Sequence, residues 1–260
     1  MGIDNTMLPL YGLGVLVTRP KQQAGFLCTW IENNGGFAVC CPTQLICEPR
    51  DRGLVSKYFN KLNRYSLVIF TSTNAVAYSL PTIQKIGGIP PLLEIAAIGK
   101  ATARTLSQFG IDQCLQPPFN SGSEQLLAMP RFQNVRGQSI LIIRGEGGRT
   151  LLADTLTERG AYVYYAAVYR RECPTVDTSM LMSHWLNGKI GVAVITSIES
   201  FINLFNILSP VGRCYLRGTQ LILISDRIKQ IAHEYGCHRV LVTKEASEDA
   251  IKEALLELIV

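Results

Sequence analysis

The chain repeats itself. Val15-Leu-Val-Thr-Arg19, followed by a helical stretch ending at Asn34-Gly35-Gly36, is matched 125 residues later by Ile140-Leu-Ile-Ile-Arg144, with a helix from Leu151 to Arg159 and then Gly160. Leu67-Val-Ile-Phe-Thr71-Ser72 meets Val192-Ala-Val-Ile-Thr196-Ser197 at the same offset, and Glu94-Ile-Ala-Ala-Ile98-Gly99 meets Gln220-Leu-Ile-Leu-Ile224-Ser225 at 126. Three landmarks at spacings of 125, 125 and 126 make the 260 residues two copies of one plan.

Each landmark is an apolar run, a small or hydroxyl-bearing turn, an amphipathic helix and a glycine stop. Continuous runs such as Ser139 to Ile143 suit strands buried on both faces, and the glycine suits a left-handed cap. These are βα units. The expected fold is α/β, with two flavodoxin-like parallel-sheet domains from an internal duplication. Right-handed crossovers leave all strand C-termini on one edge, where ligands bind. Phe37 to Cys47 and Tyr162 to Arg171 follow the matched first helices without helical periodicity. We expect them to pair as a two-stranded β ladder joining the halves.

Composition narrows the class. Hydrophobic residues at 47% against 17% charged supply a large core and argue against disorder. The net charge of +5 is spread out, with no basic run interleaved with aromatics, so no nucleic-acid partner is expected; an anionic small molecule is compatible. Met1 to Leu10 lacks a basic n-region, and no apolar run nears the roughly 18 residues that span a bilayer. We therefore expect a cytoplasmic chain with no membrane partner. Nothing demands more than a monomer. The eight cysteines include no C-x-x-C pair and read as buried structural thiols, and His184, His233 and His238 lack zinc spacing, so no metal is expected.

The chemistry should sit in the turns. Arg144-Gly145-Glu146-Gly147-Gly148-Arg149 lies between a strand and a helix, where amides and the helix dipole can hold an anion or the loop can simply turn. A dinucleotide loop would need glycine at 150, where the chain has Thr150, so no nicotinamide or flavin cofactor is expected. Thr71-Ser72-Thr73-Asn74, Thr196-Ser197-Ile198-Glu199-Ser200 and Ser225-Asp226 place hydroxyls where a helix begins; they can cap the helix, or offer a carboxylate a hydroxyl and an N–H. Arg19 and Arg144 are equivalent arginines just past their strands, each able to pair with a substrate carboxylate or to stay solvated. No nucleophile elbow or Ser/His/Asp order stands out. Tyr169, beside Arg170 and Arg171, is a weak acid able to hand a proton or hydrogen bond to a departing hydroxyl, or else a strand tyrosine at a domain junction.

Taken in order, Val15-Leu-Val-Thr-Arg-Pro20, Ile69-Phe-Thr-Ser-Thr-Asn-Ala75, Ala97-Ile-Gly-Lys-Ala-Thr-Ala103, Ile142-Ile-Arg-Gly-Glu-Gly-Gly-Arg149, Val168-Tyr-Arg-Arg171, Ile195-Thr-Ser197 and Ala246-Ser-Glu-Asp-Ala250 resemble the uroporphyrinogen-III synthase family over nearly the whole chain. The resemblance implies two α/β domains, 1–39 plus 172–260 and 40–171, with a cleft between them. It implies a cyclising lyase of porphyrin and heme biosynthesis that closes hydroxymethylbilane to uroporphyrinogen III, inverting ring D without a cofactor. A transient contact with the enzyme that supplies the bilane is compatible with this. It makes Tyr169 the proton donor to the leaving hydroxyl. Ser72, Thr196, Ser197 and Ser225 become holders of the acetate and propionate arms, and Asn74 stands where some members carry arginine. With Arg19, Arg144, Arg149 and Ser200 these complete the expected substrate-binding set. The alternative is a non-catalytic two-domain module that binds a tetrapyrrole or another anion.

Overall fold

A computed structural model describes residues 8–119 and 121–259. Met1 to Met7, where the missing n-region was read, lie outside them. The strands are β1 (Gly14–Val17), β2 (Phe37–Cys40), β3 (Leu45–Cys47), β4 (Leu67–Phe70), β5 (Glu94–Ala97), β6 (Ser139–Gly145), β7 (Tyr162–Glu172), β8 (Ile190–Ile195), β9 (Gln220–Leu223) and β10 (Val240–Val242). The helices are α1 (Lys21–Asn33), α2 (Arg52–Phe59), α3 (Thr73–Lys85), α4 (Lys100–Gln108), α5 (Ser123–Ala128), α6 (Leu151–Glu158), α7 (Ser179–Leu186), α8 (Ile198–Ile207), α9 (Pro210–Gly218), α10 (Asp226–Glu234) and α11 (Glu248–Glu257). The chain divides into two compact units, Met1–Leu45 with Glu172–Val260, and Ile46–Arg171.

The first unit holds a sheet in the order β10-β9-β8-β1-β2 and the second one in the order β3-β7-β6-β4-β5. β1 pairs in parallel with both β2 and β8, and β6 with both β7 and β4. Each sheet therefore mixes the copies. β1 and β2 from the first repeat join β8, β9 and β10 from the second, while β4 and β5 from the first join β6 and β7 from the second. The repeat is exchanged between the units, and both arrive at the flavodoxin-like order. Even the last strand has its counterpart: Leu115 bridges Ala96 in parallel, 125 positions before Val240 beside β9.

Strand side chains alternate between faces. In the second unit Val68, Phe70, Leu141 and Ile143 pack with Ala75, Val76, Leu80 and Ile83 of α3, while Leu67, Ile69, Ile140 and Ile142 pack with Leu126 of α5 and Leu152 and Leu156 of α6. In the first unit Val15, Val17, Val192 and Val194 face α1 and α11, and Leu16, Ala193 and Ile195 face α8 and α10. Apolar residues on both faces are what a central parallel strand requires, and each fully buried aliphatic side chain contributes about 1.5–3 kcal/mol. Gly35 and Gly160, at equivalent helix ends, have φ of +86° each, a left-handed conformation that disfavours any side chain.

One expected pairing divides. Phe37–Cys40 is the edge strand beside β1, and only Leu45–Cys47 lies beside β7. The chain breaks in between because Cys41 and Thr43 donate their amides back to Val17 and Thr18, holding Cys41 to Gln44 along the end of β1.

The uniform reading of the cysteines also divides. Cys41 and Cys237 are buried, but Cys40, Cys173 and Cys214 are exposed. The rings of His233 and His238 meet at 5.3 Å because α10 ends before His238; no metal-binding cluster of three occurs among the described residues. No described helix is long and apolar enough to cross a membrane.

Candidate functional site

Strand order reverses between β4 and β6 in the second sheet and between β8 and β1 in the first. Past the carboxyl ends of strands at such a reversal the crossovers diverge and leave a crevice. Ser72 and Asn74 follow β4, Arg144 lies near the end of β6, Thr196, Ser197 and Ser200 follow β8 and Arg19 follows β1, while Tyr169 lies on the neighbouring β7 and Ser225 follows β9.

In the second unit Ser72 follows β4 as the N-cap of α3, its hydroxyl accepting the Ala75 amide at 3.0 Å. Across the strand ends Tyr169 comes in from β7. Its ring is 2% exposed within the core, and its hydroxyl stands 3.1 Å from Ser72 Oγ. Arg171, two residues on and on the same face of β7, donates through Nη2 to the phenol oxygen at 3.2 Å. Arg170 turns the other way, to the Glu48 carbonyl. Two features hold the phenol in place. Gly145 ends β6 against it, and a Cβ at Gly145 would stand 2.6 Å from Tyr169 Cζ. The Glu146 amide donates to the Tyr169 carbonyl at 2.7 Å, where the register of β6 and β7 shifts. Asn74 sits half-buried in the first turn of α3.

Proton counting defines what this pair can do. Ser72 and Tyr169 carry two hydroxyl protons and share one hydrogen bond. Whichever hydroxyl donates within the pair, the other's proton is not used by it. The Ala75 and Arg171 donors occupy acceptor positions on the two oxygens and leave that proton available. The arrangement is a donor set at the end of a strand.

Arg144 has another task. Its guanidinium donates to the carbonyls of Gly145, Gly147 and Arg149 and lies 5.0 Å over the Tyr165 ring, stapling the loop shut. Gly147 and Gly148, with φ of +72° and +89°, let the loop wrap round it. These bonds engage the Arg144 guanidinium within its own loop. Arg149 stays exposed, paired with Glu124 at 2.6 Å beside the start of α6, whose N-cap Thr150 makes no side-chain capping bond.

The equivalent place in the first unit differs. Thr18, Thr43 and Ser200 are all buried; Thr18 Oγ1 donates to the Val194 carbonyl at 2.9 Å, Ser200 Oγ to Thr18 Oγ1 at 3.0 Å, and Thr43 Oγ1 lies 2.7 Å from Ser200 Oγ. At the 125-residue offset these are Ile143, Val168 and Ala75, all apolar and buried. Ser200 is thus an internal hydrogen-bonding group. Arg19 is also engaged within the chain. Its Nη1 donates to Glu248 Oε2 at 3.1 Å, at the start of α11, and burial lowers its pKa while Glu248 opposes the shift. Ser197 caps α8 by accepting the Ser200 amide, Thr196 is half-buried just before it, and Ser225 stands at the N-cap position of α10 without a side-chain capping bond. Tyr169, Arg171 and Tyr78 correspond to Gln44, Ile46 and Asn203, so the phenol–arginine pair belongs to the second unit alone.

Sequence reasoning missed Gly145, Tyr78, Thr18 and Thr43, and noted Arg171 only as a neighbour. Tyr78 packs its ring 5.9 Å from that of Tyr169. The spacing of Arg171 from Tyr169, one pleat on, was the available signal. An open depression of about 880 Å³ lies beside Pro90, Pro91 and Glu94 at the start of β5, the far end of that strand from Ser72, and has no comparable donor set.

A family model for uroporphyrinogen-III synthase HemD matches residues 27–253. The uroporphyrinogen-III synthase of Escherichia coli (strain K12) is 30% identical over 245 residues, covering 94% of this chain and all of that one. That of Proteus mirabilis is 28% identical over 179 residues, 68% of this chain and 90% of that one. Among solved structures, the uroporphyrinogen-III synthetase of Helicobacter pylori 26695 superposes with a TM-score of 0.63 at 16% identity, covering 95% of this chain and 99% of that one. A mutant uroporphyrinogen III synthase from Thermus thermophilus gives 0.62 at 18%, with the same coverage. At these identities the structures bear on the fold.

Proposed function

The chain belongs to the uroporphyrinogen-III synthase family, and from that membership we propose that it cyclises hydroxymethylbilane to uroporphyrinogen III, with loss of water and inversion of ring D. The observation that carries the assignment of roles is the Ser72–Tyr169–Arg171 set, in which the phenol oxygen lies 3.1 Å from the Ser72 hydroxyl and accepts from Arg171 at 3.2 Å.

In this reading Tyr169 gives its proton to the departing hydroxyl of the bilane, Ser72 fixes the direction of the phenol, and the Arg171 guanidinium steadies the charge left on the oxygen. Loss of that hydroxyl from an electron-rich pyrrole is intrinsically easy. The demanding task is to fold the linear chain so that ring D is attacked at its substituted carbon, through a spiro intermediate, before the ends join unaided. Carboxylate arms supply the handles for that folding. Ser72, Thr196, Ser197 and Ser225, each next to helix N-terminal amides, together with Asn74 and the exposed Arg149, are the groups we assign to them. The chain acts without a cofactor, as a cytoplasmic monomer, on bilane passed from the enzyme that makes it.

The test is a coupled assay in which fresh hydroxymethylbilane is supplied and the oxidised products are resolved into porphyrin isomers. Isomer III above the spontaneous isomer I background is the expected result. Isomer I alone from folded protein would replace this reading with that of a non-catalytic anion-binding module.

A further inference from the structure

Away from the strand-end groups, two thiols meet. Cys28 lies on α1 and Cys40 is the last residue of β2; 12 positions apart in the sequence, their Sγ atoms stand 3.0 Å apart. That is about 1 Å more than the bond length of roughly 2.05 Å that a disulfide would give them. The αβ turn after α1 brings β2 back alongside the helix, so the two thiols meet without any C-x-x-C spacing. Cys40 is exposed on the edge strand and open to reagents, whereas Cys28 is half-buried behind it. Cys41 lies buried in the core, as alternation along an extended chain directs.

We propose that Cys28 and Cys40 form a reversible intramolecular disulfide, with a small-molecule disulfide of the glutathione type as oxidant. The Cys40 thiolate attacks one sulfur of the small disulfide, breaks its S–S bond and expels one small thiolate. The Cys28 thiol then gives its proton to solvent and attacks Cys40 Sγ, expelling the second small thiolate, and the two small thiolates take from solvent the protons that Cys40 and Cys28 released. Two electrons pass from the cysteines to the small disulfide, which leaves as two thiols. The roles follow from access: burial first, and the hydrogen bond to Cys40 second, hold the Cys28 thiol well above its ordinary range, so it serves as the resolving partner that closes the bond by proximity.

The bond has a structural consequence. β2 pairs within the sheet through β1, and the tie from α1 would fasten its outer end just before Cys41 to Gln44, the segment that runs along the end of β1.

The full-length protein, equilibrated with mixtures of reduced and oxidised glutathione and quenched in acid, should lose two of its eight thiols and the mass of two hydrogens as the mixture becomes oxidising. Cleavage after Glu32 separates Cys28 from Cys40, so the two peptides should stay joined until reduced. Cys41→Ser should still close the bond, and Cys28→Ser should instead accumulate a glutathione adduct on Cys40. Retention of all eight thiols, a stable adduct on Cys40 in the wild-type chain, or a bond mapped to Cys41 would each overturn the proposal.

Discussion

The Tyr169 hydroxyl lies 3.1 Å from the Ser72 hydroxyl, so a phenol rooted in the core of the second unit is tied to the cap of α3. The two act as one donor. Removing either leaves the other with a different hydrogen-bonding direction, and their losses should not add.

Tyr169→Phe keeps the ring and removes the proton. Formation of isomer III should fall by about 10²–10⁴-fold, the range that a positioned acid contributes, while the urea midpoint shifts only slightly. Ser72→Ala should also slow turnover and cost about 1 kcal/mol as a lost helix cap, with Ser72→Thr restoring both. Near-normal turnover in Tyr169→Phe would take Tyr169 out of the mechanism.

Gly145→Ala should damage the site without touching a polar group. Its new Cβ would fall 2.6 Å from Tyr169 Cζ, and relieving that overlap should cost about 1–3 kcal/mol and displace the phenol. Paired measurements of denaturant midpoint and isomer III rate check this; a fall in neither would show that the ring has room to move.

Arg144 and Arg149 bracket the same loop but should behave in opposite ways. Arg144→Ala unfastens three carbonyls and should make residues 145–149 sensitive to proteases. Arg149→Ala breaks one exposed ion pair worth at most about 1 kcal/mol, leaves stability nearly unchanged and raises KM with kcat retained. An unchanged KM would remove Arg149 from anion binding.

The hydroxyl knot of the first unit is best tested in full. Ser200→Ala alone strands buried partners and should cost about 1–3 kcal/mol, whereas a combined Thr18→Val, Thr43→Val and Ser200→Ala chain approaches the apolar set Ile143, Val168 and Ala75 and should recover part of that loss. Greater instability in the triple variant than in Ser200→Ala would show that the knot is worth more than its apolar counterpart.

Burial raises the pKa values of Cys41 and Cys237 from 9.0 to about 11. The folded chain therefore holds these protons more tightly than the unfolded chain does. Stability from this source is complete below about pH 9 and is lost as the pH rises towards 11. Urea midpoints at pH 8 and 10.5 should differ less in the Cys41→Ala, Cys237→Ala double variant than in the wild type; an equal difference would assign the alkaline loss to other groups.

The duplication, the parallel sheets and the hydroxyl-bearing turns were legible because they depend on local order: apolar run, turn, helix, glycine. The exchange of halves followed only from the family resemblance, since an offset of 125 is the same whichever copy of a strand supplies the neighbour. Arg19 and Arg144 look alike for the same reason. What separates them is Glu248 in one case and three loop carbonyls in the other, partners brought in by tertiary structure. Ser200 read as a strand-end hydroxyl because its burial depends on Thr18 and Thr43, distant in sequence. Cys28 and Cys40 escaped notice because their meeting is a property of the α1–β2 crossover.

The exchanged repeat also orders events during synthesis. Residues 46–171 form a contiguous unit, so every strand neighbour that β4, β5, β6 and β7 share has been synthesised before the last third of the chain is made. β1 and β2 come first and wait longest. Thr18 reaches its acceptor at Val194 only after a further 176 residues, and until then one edge of the nascent β1–β2 ribbon stands open to any competing strand.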